Sequence, residues 1–210
     1  GEAVGGGRRV DLAAPAAAWG ITLIAGRAGD QLGTSLATGD VNGDGRADLI
    51  VSAPTADRDG KVLAGEAYIF PGGEASPHRW AGGVVDLRRG VGAQGETVIY
   101  SMLARDTLGY RVAAGDVDGD GIDDILYSRA GMEQPAPDTR GVMEILLGRR
   151  GGIGAAAGSG RIVAGSDLRV AGEQVNSSFA YALGAGGDMN RNGLPEWAVS
   201  APLGDNPGVA

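Results

Sequence analysis

The apolar positions of the chain fall in short runs, separated by clusters of Gly, Asp and Pro. Between residues 108 and 163 they centre on Arg111–Ala114, Ile125–Ser128, Val142–Leu147 and Arg161–Val163. The runs are rich in Val, Ile, Leu and Tyr, and turn residues bound each one. That pattern predicts strands rather than amphipathic helices. The segment AAPAAAW (13–19) has helical propensity, but Pro15 and its few residues make it a loop. The expected fold class is therefore all-β.

The pattern repeats. Asp40-Val-Asn-Gly-Asp-Gly-Arg-Ala-Asp48 is answered by Asp116-Val-Asp-Gly-Asp-Gly-Ile-Asp-Asp124, and in worn form by Asp188-Met-Asn-Arg-Asn-Gly-Leu-Pro-Glu196. The flanks recur with it: DQLGTSLATG (30–39), DTLGYRVAAG (106–115) and SFAYALGAGG (178–187) upstream, LIVSAP (49–54), ILYSRA (125–130) and WAVSAP (197–202) downstream. GEAYIFPGG (65–73) matches GVMEILLGR (141–149), and VVDL (84–87) matches RVDL (9–12). Self-similarity on this scale marks a repeat architecture. Four short strands per unit is the signature of a β-propeller blade.

The opening residues Gly1 to Gly7 resemble Gly65-Glu66-Ala67-Tyr68, which begins the third strand of a unit, and Ala210 falls where that strand is expected again. The chain thus reads as three repeats, about 1–64, 65–140 and 141–210, cut at one phase. Propellers typically close with about four to eight blades. The expectation is a part of a larger propeller, or a ring closed by several copies, because bare strand edges are a liability.

Composition narrows the function. Of 210 residues 40 are Gly, far above the roughly 7% background, without a collagen period. The charge is −8, from 18 Lys+Arg against 26 Asp+Glu. Nucleic-acid binding needs clustered cations, and the pairs Arg8-Arg9, Arg88-Arg89 and Arg149-Arg150 read as isolated solvated loop charge. No window approaches the roughly 18 apolar residues of a membrane span. The first residues are no signal peptide; a removed signal or an excised piece is compatible with them. There is no Cys, so disulfides, thiolate nucleophiles and Cys-ligated zinc are excluded.

The nine-residue loop carries the candidate chemistry. Positions 1, 3, 5 and 9 offer side-chain oxygens: Asp40, Asn42, Asp44 and Asp48 in the first copy. Position 7, Arg46, offers a backbone carbonyl. Alternate residues of a tight turn converge, and Gly45 at position 6 permits a sharp bend. Hard oxygen ligands without His or Cys select Ca2+. An EF-hand also begins this way, but it needs Glu at position 12 and flanking helices. Here position 12 is Val51, Tyr127 and Val199, followed by β-type sequence. The bland alternative, an Asp/Asn/Gly turn with no ion, is disfavoured by two near-identical copies in register. The second loop has four carboxylates (Asp116, Asp118, Asp120, Asp124), the first three, and the third two (Asp188, Glu196) with Asn190 and Asn192. Ligand charge tunes affinity, so the expected order is second, first, third.

LGTSLATGDVNGDGRADLIVSAP (32–54) resembles an FG-GAP repeat, the blade unit of the integrin α-subunit head; 108–130 and 179–202 are further copies. The Phe-Gly element is Leu32-Gly33, Leu108-Gly109 and Phe179-Ala180 here. The Gly-Ala-Pro element is Ser52-Ala53-Pro54, Ser128-Arg129-Ala130 and Ser200-Ala201-Pro202. The resemblance implies a propeller, often seven-bladed, with structural Ca2+ in the loop joining the first two strands of a blade. The ligands it implies are those above, with the carbonyls of Arg46 and Ile122 added. It also implies a cell-surface or extracellular setting and protein binding on the opposite face.

Little points to catalysis. His78, the one histidine, stands in a loop, and no G-x-S-x-G elbow is present. Asp123-Asp124 resembles a glycosidase pair, but Asp124 is better used on calcium and Asp123 as a turn residue. GRRGGIGAAAGSG (148–160) lacks the P-loop lysine and reads as a connecting loop. The sequence thus points to a calcium-stabilised, non-enzymatic interaction module for a protein or glycan ligand. Trp19, Trp80 and Tyr110 are candidate contacts, although the two Trp serve equally well as caps between blades. The alternatives are a non-catalytic propeller of a secreted hydrolase or lyase, and a self-assembling structural homo-oligomer.

Overall fold

A computed structural model describes residues 22–73, 83–90, 95–129, 140–153, 161–163, 166–173 and 178–202. In chain order the described strands are β1 (Thr22–Ile24), β2 (Leu36–Gly39), β3 (Asp48–Ala53), β4 (Glu66–Phe70), β5 (Val84–Asp86), β6 (Thr97–Tyr100) and β7 (Leu108–Gly115). β8 (Asp124–Arg129), β9 (Val142–Leu146), β10 (Arg161–Val163), β11 (Leu168–Ala171), β12 (Leu183–Ala185) and β13 (Trp197–Val199) follow. The chain is all-β, and its sheets are the blades of a propeller.

In the first blade β2, β3, β4 and β6 pair antiparallel in that order, and in the second β7, β8, β9 and β11 do the same. β12 and β13 pair antiparallel as the first two strands of a third. β4 and β9 are buried along their whole length, and β3 and β8 nearly so. Each central strand is covered on both faces by neighbouring sheets, which is why successive residues are buried rather than alternately buried and exposed.

The core lies between blades. Ile50, Ile69 and Ile99 on one face of the first blade meet Val112, Ile125, Tyr127 and Leu146 of the second. The opposite face of the second blade, with Leu126, Met143 and Ile145, packs on Phe179, Leu183 and Val199. Val51, Tyr68, Phe70 and Val98 turn the other way, toward Leu23 and Val85. Strand alternation delivers one set of side chains to each interface.

One expectation needs correction. Arg161–Val163 forms a strand, but not the fourth of its own blade. That strand is β11, which pairs Val170 with Met143 and Leu168 with Ile145. β10 instead pairs parallel to β6 of the preceding blade, Ile162 opposite Ile99. β5 does the same one blade earlier, pairing parallel to β1 with Val85 opposite Leu23. Twice, the connection from third to fourth strand pairs parallel with a strand that precedes its own sheet in the chain, β6 for β10 and β1 for β5. Three of the four residues of β11 are exposed. RIV and LRVA are both short and similarly apolar, so composition does not tell which of them completes the sheet.

The repeated flanks have physical reasons. The Ser of each SAP-type element accepts a backbone N–H from the start of the blade: Ser52 Oγ from Ser35 at 2.9 Å, Ser128 Oγ from Arg111 at 2.8 Å and Ser200 Oγ from Ala182 at 3.0 Å. Ser52→Ala and Ser128→Ala are each expected to cost about 1–2 kcal/mol, by leaving an N–H unpaired. The readout is a lower urea midpoint at unchanged slope. Buried ion pairs occupy the blade interfaces. Arg58 Nε lies 2.5 Å from Glu66, and the guanidinium sits over the Tyr100 ring. Arg129 bridges Asp106 at 2.7 Å and Glu144 at 2.9 Å. Burial, with Glu66 and Glu144 close by, drives the Tyr68 and Tyr127 hydroxyls far above their ordinary range. Of the arginine pairs, Arg88 and Arg149 are exposed but not isolated: Arg88 lies in a 3-10 turn (Leu87–Arg89) and pairs with Asp86, and Arg149 pairs with Asp167; Arg8 and Arg9 lie outside the described residues.

Candidate metal centre

Each acidic loop is the hairpin connection between the first two strands of a blade. Gly39 opposite Asp48 closes the first, and Gly115 opposite Asp124 the second. In the first loop Asp40 is the hub: Oδ1 accepts Asp44 N–H at 3.0 Å and Oδ2 accepts Gly45 N–H at 2.7 Å. Asn42 Oδ1 accepts Asp44 N–H at 2.9 Å, and Asp44 Oδ1 accepts Arg46 N–H at 2.9 Å. These two are Asx turns, and each aims a side-chain oxygen into the bend. The second loop repeats the scheme. Asp116 accepts from Gly119, Asp120 and Gly121, Asp118 from Asp120, and Asp120 from Ile122. The third does so with Asp188, Asn190 and Asn192.

Backbone conformation separates the copies. Positions 4 and 6 are left-handed in all three loops. Gly43, Gly45, Gly119 and Gly121 take φ of 69° to 85°, whereas Arg191 holds φ 62° at position 4 of the third. A Cβ resists this region, so the third loop is the more strained as well as the less acidic.

The second loop brings one oxygen each from Asp116, Asp118 and Asp120 within 4.8 Å of one another. Three carboxylates at that distance repel unless a cation lies between them. The donors are all hard oxygen, with neither nitrogen nor sulfur, which fits Ca2+ or Mg2+. The chemistry of the donor set therefore accommodates a divalent ion.

Position 9 has a second task. Asp48 and Asp124 are buried at 1% exposure, unlike the other acidic residues of their loops. Asp48 Oδ2 accepts Val41 N–H at 3.2 Å, and Oδ1 accepts Asn42 Nδ2–H at 3.0 Å and Gly72 N–H at 2.8 Å. Asp124 accepts Val117 N–H at 2.7 Å and Gly148 N–H at 2.8 Å. Glu196 accepts Met189 N–H at 2.6 Å and the Asn190 amide. Asp48 and Asp124 thus clamp the loop to the end of the third strand. Burial pushes both carboxyls above the usual range, and the Gly72 or Gly148 N–H pulls back. Of the position-7 residues, Arg46 is exposed and Ile122 is buried beneath the first loop, near Gly43.

Sequence reading missed Asp123. It is no plain turn residue: its Oδ2 accepts the Asp40 N–H at 2.8 Å, and its own N–H donates to Asp40 O at 3.0 Å. It joins the two loops across the blade boundary. Residues 149–151 also reach the first loop, through Arg149 N–H to Val41 O and Gly151 N–H to Asn42 O. Tyr110 packs against Tyr181, with Arg111 over both rings. Trp19, Trp80 and His78 lie outside the described residues.

Successive sheets packed face to face, each with an acidic hairpin at the same corner, define a propeller built of repeats with cation-type loops. The FG-GAP repeat model matches residues 32–70 and 108–135. Integrin alpha-PS2 of Drosophila melanogaster is 36% identical over 182 residues, 84% of this chain and 12% of that protein. The chain carries FG-GAP repeats, and over most of its length it is similar to an integrin α subunit. It spans 12% of the length of that protein.

Proposed function

We propose that the chain is a calcium-stabilised interaction module of an extracellular or cell-surface protein, non-catalytic itself, which binds a protein or glycan ligand. The observation that carries this reading is the convergence of Asp116, Asp118 and Asp120, repeated in its hydrogen bonding by the other two loops. The ligands are Asp40, Asn42, Asp44 and Asp48 with the Arg46 carbonyl, Asp116, Asp118, Asp120 and Asp124 with the Ile122 carbonyl, and Asp188, Asn190, Asn192 and Glu196. The ion fixes a glycine-rich hairpin whose ordering is otherwise entropically costly. Extracellular calcium modules work at about 10⁻⁴–10⁻³ M, which supports the setting. Buried acids are engaged structurally, Glu66 and Glu144 by arginine and Asp48 and Asp124 by backbone N–H. That supports a non-catalytic role. The ligand surface lies at the other end of the strands, where Tyr110 and Tyr181 meet; the similarity to an integrin α subunit supports an adhesion-type role.

A thermal melt tests the metal. Calcium at a hundredfold excess over its dissociation constant is expected to stabilise by about 2.7 kcal/mol, and excess chelator to remove that gain. Asp120→Ala should abolish more of the calcium response than Asp188→Ala. A melt that is the same in calcium and in chelator would overturn the reading.

A further inference from the structure

We propose that Asp123, a residue of the second loop, positions the first loop for its cation; the inference rests on the calcium reading above. Asp40 stands at position 1 of the first loop, and both its carboxylate oxygens already orient the bend through the Asp44 and Gly45 N–H groups. What fixes Asp40 itself comes from the next blade. The Asp123 carboxylate receives the Asp40 N–H, and the Asp123 N–H returns a bond to the Asp40 carbonyl. Main chain and side chain together hold the residue from both sides.

The fit between the two leaves little slack. A Cβ on Gly39 would stand 2.9 Å from Asp123 Cβ and Oδ2, and one on Gly43 would stand 3.0 Å from Ile122 Cδ1. Asp123 directly precedes Asp124, whose carboxylate ties the second loop to Gly148. Movement of the second loop's closing residue is therefore passed to the first loop's leading ligand. The same link is not made at the next boundary. The residue equivalent to Asp123 in the third loop is Pro195, which has no carboxylate to offer Asp116.

Calorimetric titration of the whole chain with CaCl2 tests this in two backgrounds, each also carrying Asp188→Ala. Asp118→Ala with Asp120→Ala leaves the first loop to bind; Asn42→Ala with Asp44→Ala leaves the second. Asp123→Ala is expected to weaken binding at the first loop about tenfold, the scale on which outer partners of a metal ligand act. At the second loop, Asp123's own, it should leave affinity within about twofold. Asp123→Asn removes the same charge but keeps an oxygen for the Asp40 N–H, and should restore first-loop affinity. Gly39→Ala leaves every acid in place and pries the contact apart, so it should repeat the selective loss even if Asp123→Ala folds poorly. Equal losses in both backgrounds, or an Asn variant as weak as the Ala variant, overturn the positioning role alone. No calcium heat from the unsubstituted chain overturns the calcium reading, and this inference with it.

Discussion

Asp124→Ala is expected to lower the melting temperature by about 6–12 °C in excess chelator, where no metal contributes. Asp124 is buried, and it receives the Val117 and Gly148 N–H groups. Hydrogen bonds to a charged group contribute about 1.5–3 kcal/mol each, and an orphaned buried donor costs about 1–3. A net loss near 3 kcal/mol is reasonable, and a chain of this size shifts roughly 2–4 °C per kcal/mol. Water cannot easily replace the lost acceptor, because Gly148 sits hard against the loop: a Cβ there would lie 2.2 Å from Asp123 O. Asp118→Ala is the comparison. Asp118 is exposed, and in chelator its removal relieves repulsion, so the expected change is within about 0.5 kcal/mol. If the two variants melt together in chelator, Asp124 is a ligand and nothing more, and the clamp described above is wrong.

Gly65→Ala should be as damaging, for another reason. Gly65 has φ +84°, and a Cβ would fall 2.3 Å from Leu108 N and 2.4 Å from Leu108 O. Those are backbone atoms of the next blade, held by the Leu108 N–H to Ala64 O bond. They cannot swing aside as a side chain does. Gly45 supplies the control: its φ is +85°, but nothing lies within 4 Å of the added carbon. Gly45→Ala should lose only the left-handed penalty of roughly 1–2 kcal/mol. Gly65→Ala adds the steric displacement of a packed interface, for a total of about 3 kcal/mol or more. Guanidinium denaturation of both variants in chelator measures the gap. Equal losses would mean that the blades separate there at little cost.

The match of Gly65 to Leu108 recurs at Gly141, where an added Cβ would meet Phe179 O at 2.3 Å. It gives the Leu/Phe-Gly element its physical meaning: it is where one blade's backbone lies against the next. Sequence alone exposed the repeat, the strands and the loop because each is local. A run of Val, Ile and Leu bounded by Gly and Asp needs no knowledge of its neighbours, and neither does an alternating set of oxygens. Asp123 was illegible for the opposite reason. Its own loop shows only an Asp next to a ligand, while its partner stands 83 residues away. β10 was misplaced likewise: three residues carry no mark saying which sheet they complete. The doubled role of Asp48 and Asp124 was half legible, since oxygen at position 9 was clear but the Gly72 and Gly148 N–H groups are set by how the third strand returns.

The backward-reaching strands β5 and β10 bear on how such a protein comes apart. In a plain stacked array each module touches its neighbours only through side chains, and modules are lost singly from an end. Here the first blade's outer strand has main-chain bonds to a segment that belongs to the second. Pulling one module out severs a ladder in the one beside it. Fragments meant for binding work should therefore end outside such a borrowed strand rather than at a tidy sheet boundary, and forced extension should release neighbouring modules together rather than one at a time.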